Sequence, residues 1–150
     1  MASAHRATVL ASVFAAAGGL GLSSAVATGE PVGDAPPTPI ITTVPEVPLP
    51  AGITQFVDNP AIVDSHPQHI ESWSRLPDDH AVAVQFTTGT PVCFGTHVEV
   101  QETPDIVAVK LRSGTVPEAV DRACTMIAVF GTVNAVLEAP VGHRAVVSIT

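Results

Sequence analysis

The sequence predicts an α+β fold, with an antiparallel sheet of about five to six strands and one helix packed on one face. Three observations lead to this prediction. Several segments after position 80 alternate apolar and polar residues, which is typical of half-buried strands with one wet face. The segment 115–130 breaks the alternation and carries apolar residues at helical spacing. Two alternating segments follow it and would close the sheet as a hairpin.

Residues 1–27 have the order of a secretory signal peptide. Arg6 lies near the start, an uncharged and mostly apolar run follows, and A-V-A at positions 25–27 is a small-residue cleavage site. We expect cleavage after Ala27. The alternative is an uncleaved anchor helix. The glycines between positions 18 and 21 disfavour it, because each glycine costs about 1 kcal/mol inside a helix.

Residues 28–50 are predicted to be a Pro-rich linker. Seven of the 14 prolines fall between Pro31 and Pro50. Proline fixes φ and donates no backbone hydrogen bond, so this composition favours extended polyproline II. We interpret the segment as an exposed spacer, and the alternative is a docking strip for a Pro-binding partner. A single domain then spans 51–150, of which 51–69 is an irregular lead-in.

The strands follow in order along the chain. A short one is predicted in 71–76, ended by the turn residues Pro77, Asp78 and Asp79. Three longer strands are predicted at 80–88, 96–102 and 105–113. Their inward faces would be formed by Val82, Val84 and Phe86, by Val98 and Val100, and by Val107, Val109 and Leu111. The proline between the last two forbids regular pairing and suits a tight antiparallel connection.

The helix is predicted over 115–130. Thr115 and Glu118 have capping-box spacing, and Pro117 falls in the first turn, where its missing N–H costs little. Its buried face would consist of Val116, Val120, Ala123, Cys124 and Ile127. This spacing is that of one face of a helix.

The last two strands are predicted at 132–138 and 145–150. Val133, Ala135 and Leu137 would share one side of the first of them. The turn 140–144 would join them, with a glycine at position 142 that is free to take a positive φ.

The two cysteines are predicted to form a disulfide that staples the helix to the sheet. Cys93 lies at the start of a strand and Cys124 on the packing face of the predicted helix. Exported proteins mature where thiols oxidise. The bridge would remove unfolded-state entropy worth roughly 3.5 kcal/mol. The alternative is a redox-active thiol, which the absence of C-x-x-C spacing and of an adjacent basic residue disfavours.

The polar segment 64–80 contains three candidate metal ligands, His66, His69 and His80. His-x-x-His with nearby carboxylates could bind zinc. The spacing is not H-E-x-x-H, and Pro67 disfavours a helix that would align the imidazoles, so we interpret the segment as a polar surface loop. A small secreted hydrolase or metal-dependent enzyme that uses this segment is the alternative function.

Other residues with catalytic chemistry give weaker signals. Ser65 is flanked by an Asp and a His, but adjacent residues rarely point at each other and no G-x-S-x-G elbow is present. Glu99 and Glu102 could act as a carboxylate pair. Trp73, the only tryptophan, is expected to cover the core. No residue is therefore assigned a catalytic role, and no cofactor is predicted.

The charge of the chain limits its partners. Its 14 acidic and 6 basic residues give a formal net charge of −8, without a basic stripe that could bind phosphates. Nucleic acid is therefore an unfavourable partner. Membrane contact is expected only if the N-terminal segment stays uncleaved. We expect a monomer that meets an envelope or extracellular partner.

Five stretches of residues 62–147 resemble one protein group. They read "SWSRLPDD", "AVQFTTGTPVC", "VEVQETPDIVAVKL", "ACTMIA" and "LEAPVGHRAVV". In this order they resemble a group of uncharacterised small exported proteins of high-GC Gram-positive bacteria, which carry a signal, a low-complexity spacer and one terminal domain. The resemblance supports the domain boundaries and the pairing of Cys93 with Cys124, and implies no activity. The lipobox cysteine of some members is missing, which favours free secretion.

Together these observations predict an exported protein, secreted or associated with the cell envelope. The export signal, the spacer, the disulfide and the acidic surface favour a non-catalytic structural or binding module over an enzyme.

Overall fold

The computed structural model describes residues 38–150, and this part of the chain is an all-β fold. The predicted signal peptide and the first part of the predicted linker lie outside the described residues. The strands are β1 (Ile41–Thr43), β2 (Thr54–Gln55), β3 (Val63–Pro67), β4 (Ser72–Arg75), β5 (Ala81–Thr88), β6 (Phe94–Glu102), β7 (Ile106–Thr115), β8 (Val129–Val136) and β9 (Ala145–Ile149). The α+β prediction is therefore wrong.

The strands form two sheets. In the first sheet β1 pairs with β9 and β9 with β7, while β7 also pairs with β6 along most of its length and with β3 near its C-terminal end. The second sheet has the order β2-β8-β5-β4. The pairs β7–β9 and β2–β8 are parallel, and the others are antiparallel.

The predicted terminal hairpin is not formed. After β8 the chain turns at residues 141–144, where Gly142 has a φ of 49°, and then crosses to the other sheet. There β9 pairs in parallel with β7 instead of with β8. The turn was readable from the sequence, whereas the choice of partner strand depends on which edge is free in the folded molecule.

One hydrophobic core lies between the two sheets. The predicted inward residues of β5, β7 and β8 form its centre, and all of them are almost fully buried: Val82, Val84, Phe86, Val107, Val109, Leu111, Val133 and Ala135. Val98 and Val100 of β6 are partly buried against it. Each buried valine, leucine or phenylalanine of this set contributes about 1.5–3 kcal/mol through removal from water. The strand alternation therefore predicted this core correctly.

The outer face of β5 is dry, contrary to the prediction of a wet face. Gln85 is fully buried there; it accepts a hydrogen bond from the Ser72 hydroxyl and donates one to Ser74. The segment from Val47, which bonds to β4, to Thr54, which pairs with β8, crosses this face. The Ser74 hydroxyl donates to the Val47 carbonyl at 2.7 Å. A buried amide needs such partners, because an unsatisfied one costs about 1–3 kcal/mol.

The first sheet begins inside the predicted linker. Strand β1 and the buried Val44 belong to residues 28–50, and Val44 N–H donates to the Val146 carbonyl at 3.0 Å. Three residues later Val47 N–H donates to the carbonyl of Trp73, in β4, at 2.8 Å. This segment therefore connects an edge of the first sheet to an edge of the second. Covered edges of this kind resist pairing with other chains.

The predicted helix over 115–130 is also wrong. A 3₁₀ turn, Pro117–Ala119, follows an extended Val116, and Asp121 has a φ of 62°, which ends any helical run. Met126 and Ile127 are 84% and 57% exposed instead of packed on a sheet. Both ends of the predicted helix are strand residues instead, because β7 runs to Thr115 and β8 begins at Val129. Within residues 38–150 no helix could cross a membrane.

Candidate functional site

A surface groove opens where β6 and β8 run beside each other in different sheets. Its lining comes from β6 (Val98, Val100 and Glu102), from β8 (Asn134 and Val136) and from two residues at its ends, Asp58 and Glu138. The groove encloses about 400 Å³. This volume is at the small end of the range for ligand-binding pockets.

Both ends of the groove are defined by hydrogen bonds. At one end the segment after β2 joins the two strands, because Phe56 N–H donates to the Thr132 carbonyl at 2.7 Å and Asn59 N–H to the Thr96 carbonyl at 2.8 Å. At the other end the Glu102 carboxylate accepts the N–H of Glu138 at 2.6 Å. The two strands therefore run in the same direction, with the groove between these closures.

The backbone of β6 presents unpaired groups to the groove. In a strand the N–H and C=O of one residue point to the same side, and successive residues alternate. The Thr96 carbonyl and the Val98 N–H point away from β7, because they bond to Asn59 and to the Asp58 carboxylate. Val100 and Glu102 have the same parity, and no described residue pairs with their backbone groups on this side.

The backbone of β8 does the same from the opposite wall. The Thr132 carbonyl of β8 accepts from the N–H of Phe56, so the backbone groups of Thr132 point away from β5. Because successive residues alternate, Val133 and Ala135 point their backbone groups toward β5. Asn134 and Val136 therefore point their N–H and C=O groups toward the groove. In the part of the chain that the structure describes, nothing accepts from or donates to these groups.

One carboxylate of the groove is held in place by a buried arginine. Arg144 Nη1 donates to Glu102 Oε2 at 2.7 Å, and the two side chains are 7% and 15% exposed. Burial raises the pKa of Glu102, but the hydrogen bonds from Arg144 and from the N–H groups of Glu138 and Ala139 outweigh it and hold the pKa below its usual value. Glu102 is therefore ionised and already partnered.

A second carboxylate closes the other end. Asp58 Oδ1 accepts the Val98 N–H at 2.9 Å and lies 2.9 Å from His97 Nδ1, which acts as the donor when that nitrogen is protonated. Asp58 is about two-fifths exposed, so it still faces the groove. Glu138 is exposed and forms no ion pair with a described residue. The lining contains three carboxylates and neither Lys nor Arg.

The predicted disulfide is present. Cys93 and Cys124 are bridged, with their Cα atoms 6.0 Å apart, which lies within the normal range. The bridge joins the start of β6 to the loop before β8, so it connects a loop and a sheet, not a helix and a sheet. A disulfide is compatible with an extracellular location. Val92 and Met126, which lie within two residues of the bridged cysteines in the sequence, are exposed apolar side chains.

The candidate metal ligands are not brought together. His66 lies on β3 in the first sheet, His69 follows that strand, and His80 precedes β5 in the second sheet; all three are exposed. Among residues 38–150 no group of three His, Cys, Asp or Glu side chains could hold a metal ion. The structure therefore provides no site for the zinc alternative in this range.

The other candidates have structural partners. The Ser65 hydroxyl accepts from Arg112 Nε at 3.0 Å. Glu99 faces the opposite side of β6 from Glu102 and lies 3.5 Å from Lys110, so the two glutamates do not act as a pair. Trp73 is buried in the core, as predicted, and its Nε1–H donates to the Val44 carbonyl at 3.2 Å.

Sequence reasoning missed the groove as a site. Asp58, Glu102 and Glu138 are far apart along the chain, and only strand order brings them to one surface. The one available signal was Arg144 in the Pro-x-Gly-x-Arg turn, because a buried arginine requires an acidic partner. No protein-family model, curated protein or solved structure matches the chain.

Proposed function

We propose that this protein is an exported, non-catalytic binding module that holds an extended segment of a partner protein in the groove between β6 and β8. One observation carries the proposal. Alternating backbone N–H and C=O groups of Val100, Glu102, Asn134 and Val136 face a single groove and have no partner among the described residues.

Extended peptides bind proteins by adding a strand to a free sheet edge. The main-chain hydrogen bonds supply affinity, and the side chains that point to one face supply specificity. Here β2 already occupies the first part of the β8 edge, at Gly131 and Thr132, so a guest segment would continue this edge along Asn134 and Val136.

The export part of the proposal rests on the sequence. The basic start, the apolar run and the A-V-A site support a signal peptide, and the disulfide agrees with an oxidising compartment. Assignment to the group of small exported proteins of high-GC Gram-positive bacteria rests on the sequence patterns alone. Intact mass of the protein recovered from the culture medium tests export, and a chain that starts at Met1 would contradict cleavage after Ala27.

The binding proposal is tested by amide exchange with three peptides. They share an alternating Thr/Val frame, acetyl-T-X-T-V-T-X-T-amide, and differ in X, which is Lys, Gln or Glu. In the free protein the amides of Val100, Asn134 and Val136 should exchange fast, and those of Val133 and Ala135 slowly, because only the latter pair with β5.

At least one of the three peptides should slow exchange at the groove-facing amides alone. The neighbouring amides of odd number on the same strands serve as the internal control. If none of the peptides protects the groove-facing amides at millimolar concentration, the proposal is wrong.

A further inference from the structure

We infer that the bound segment carries two basic side chains four residues apart, with an apolar residue midway between them. This inference deepens the proposed function and rests on it. It concerns the chemistry of the partner and is carried by the positions of the carboxylates in the groove.

Two carboxylates of the groove lie level with β6 residues that are four positions apart. Asp58 lies level with Val98, whose N–H it accepts, and Glu138 lies level with Glu102, which accepts its N–H. Val98 and Glu102 are four residues apart on one strand, which corresponds to about 13 Å at roughly 3.3 Å per residue. A guest strand running along β6 therefore meets one carboxylate with residue i and the other with residue i+4.

The side chains of an extended guest segment alternate between its two faces. In a strand, residues i, i+2 and i+4 project from one face. The three residues of β6 that line the groove, Val98, Val100 and Glu102, have this relation, and so do Asn134, Val136 and Glu138. Val98 and Val100 turn their side chains toward the core, whereas Asn134, Val136 and Glu138 are exposed on the outer face of the groove. A guest residue at i+2 whose side chain is on that outer face therefore lies beside Val136. Val136 is 75% exposed, so an apolar residue there would cover it.

The carboxylates of the groove differ in whether they already have a charged partner. The Glu102 carboxylate already bonds to Arg144 and to two backbone N–H groups. It therefore fixes this end of the groove and offers no free charge to a guest. Glu138 has no ion pair within the described residues. Asp58 accepts the Val98 N–H and contacts His97, whose side chain is about a quarter exposed, and Asp58 itself stays about two-fifths exposed. A guest lysine or arginine at each end would neutralise a carboxylate that the fold leaves exposed. A net charge of −8 favours the approach of a basic segment.

The experiment compares affinities within the same frame. The Lys peptide should bind more tightly than the Gln peptide, and the Gln peptide more tightly than the Glu peptide, each step by roughly three- to tenfold for two half-exposed pairs. A fourth peptide with its lysines three residues apart places them on opposite faces, and it should lose about half of this gain on a logarithmic scale. The differences in affinity among the Lys, Gln and Glu peptides should become smaller in 0.5 M salt, since salt screens exposed ion pairs.

Two isosteric variants locate the contacts. Asp58→Asn and Glu138→Gln should each weaken binding of the Lys peptide by about threefold and should weaken binding of the Gln peptide less. Replacing one lysine at a time by glutamine in a double-mutant cycle assigns each lysine to one carboxylate and so gives the direction of the guest strand. Glu118→Gln is the matched control, because Glu118 lies on the 3₁₀ turn outside the groove.

The outcomes separate this inference from the proposed function. If the Lys, Gln and Glu peptides all protect the groove-facing amides with equal affinity, the basic pattern is wrong while the peptide groove stands. If the Lys peptide binds best but Asp58→Asn and Glu138→Gln do not change its affinity, the assignment of the two ends is wrong. If no peptide binds, the proposed function itself fails.

Discussion

Arg144 ties together three parts of the chain that are distant in sequence. Its guanidinium donates to the Glu102 carboxylate of β6, to the Thr103 carbonyl of the β6–β7 hairpin, and to the carbonyls of Ala139 and Pro140 after β8. Because its planar fork reaches several acceptors at once, lysine could not replace it. This contact fixes the end of the groove.

Replacing Glu102 by glutamine should destabilise the protein in a pH-dependent way. At pH 6 the variant should lose about 2 kcal/mol of unfolding free energy, the usual value for hydrogen bonds to charged groups. The pKa of Glu102 is lowered in the folded state, so its ionised form contributes stability above the ordinary glutamate pKa of about 4.3, and this contribution is lost as pH falls through the folded pKa. The difference between wild type and variant should therefore shrink toward pH 3.

Urea unfolding at pH 6 and pH 3 measures this difference. Glu118→Gln, which removes an exposed carboxylate outside the network, is the control and should change stability by less than about 0.5 kcal/mol at either pH. A Glu102→Gln effect that is equal at both pH values would contradict the role of the ionised carboxylate.

A glycine on β8 allows the aromatic pair of the core to form. A Cβ at Gly131 would overlap with the ring of Phe56, which packs edge-on against Phe86 with ring centroids 5.3 Å apart. Gly131→Ala should therefore cost about 1–3 kcal/mol, because overpacking forces the ring to move. Thermal unfolding measures the loss. Asn134→Ala, at an exposed position of the same strand, should stay within about 0.5 kcal/mol, and equal effects would contradict the packing argument.

At the scale of residues, alternation predicted burial where one face of a strand meets the core. Val82 and Leu111 are buried as expected. Gln85 could not be predicted to be buried, because its cover comes from a segment that the sequence presents as a Pro-rich linker and an irregular lead-in. Asp58 and Glu138 could not be assigned to one groove from the sequence, because strand order brings them together and strand order is not a local property.

Elements were predicted where the local pattern decides them. The hairpin of β6 and β7 was predicted because a proline turn separates two alternating runs. The helix prediction was wrong because apolar residues at helical spacing stabilise a helix only when their face packs against another element. Val120 and Ile127, on its predicted buried face, are exposed in a loop, and the disulfide holds this loop against the start of β6.

Removing the disulfide should therefore affect this loop and the sheet together. The double variant Cys93→Ser/Cys124→Ser should lose about 3.5 kcal/mol of unfolding free energy by the loop-closure argument. Amide exchange should rise first in residues 120–128, which form no strand. Denaturant unfolding without reductant measures the change, and wild type with added reductant is the matched comparison. Equal stability of the oxidised and double-variant proteins would contradict a structural role.

The whole molecule depends on two segments that cross between the sheets. One runs from β1 through Val44 to Val47, and the other from β2 through Phe56 to Asn59. They cover sheet edges, and both lie in the part of the sequence that the pattern assigned to a linker and an irregular lead-in. Proline-rich composition correctly indicated little regular strand there, but it does not report whether an extended segment is packed against the domain.

A chain that begins at residue 51, the predicted domain boundary, should therefore fail to fold stably, whereas one that begins at residue 38 should fold. The shorter chain loses β1, the buried Val44 and the acceptor of the Trp73 Nε1–H. Burial of one valine at about 1.5–3 kcal/mol, and several hydrogen bonds at about 1 kcal/mol each, sum to roughly 5 kcal/mol, which is comparable to the whole stability of a small domain. Near-ultraviolet circular dichroism of Trp73 and urea unfolding compare the two chains. Equal stability would show that the first sheet does not need its linker-derived strand.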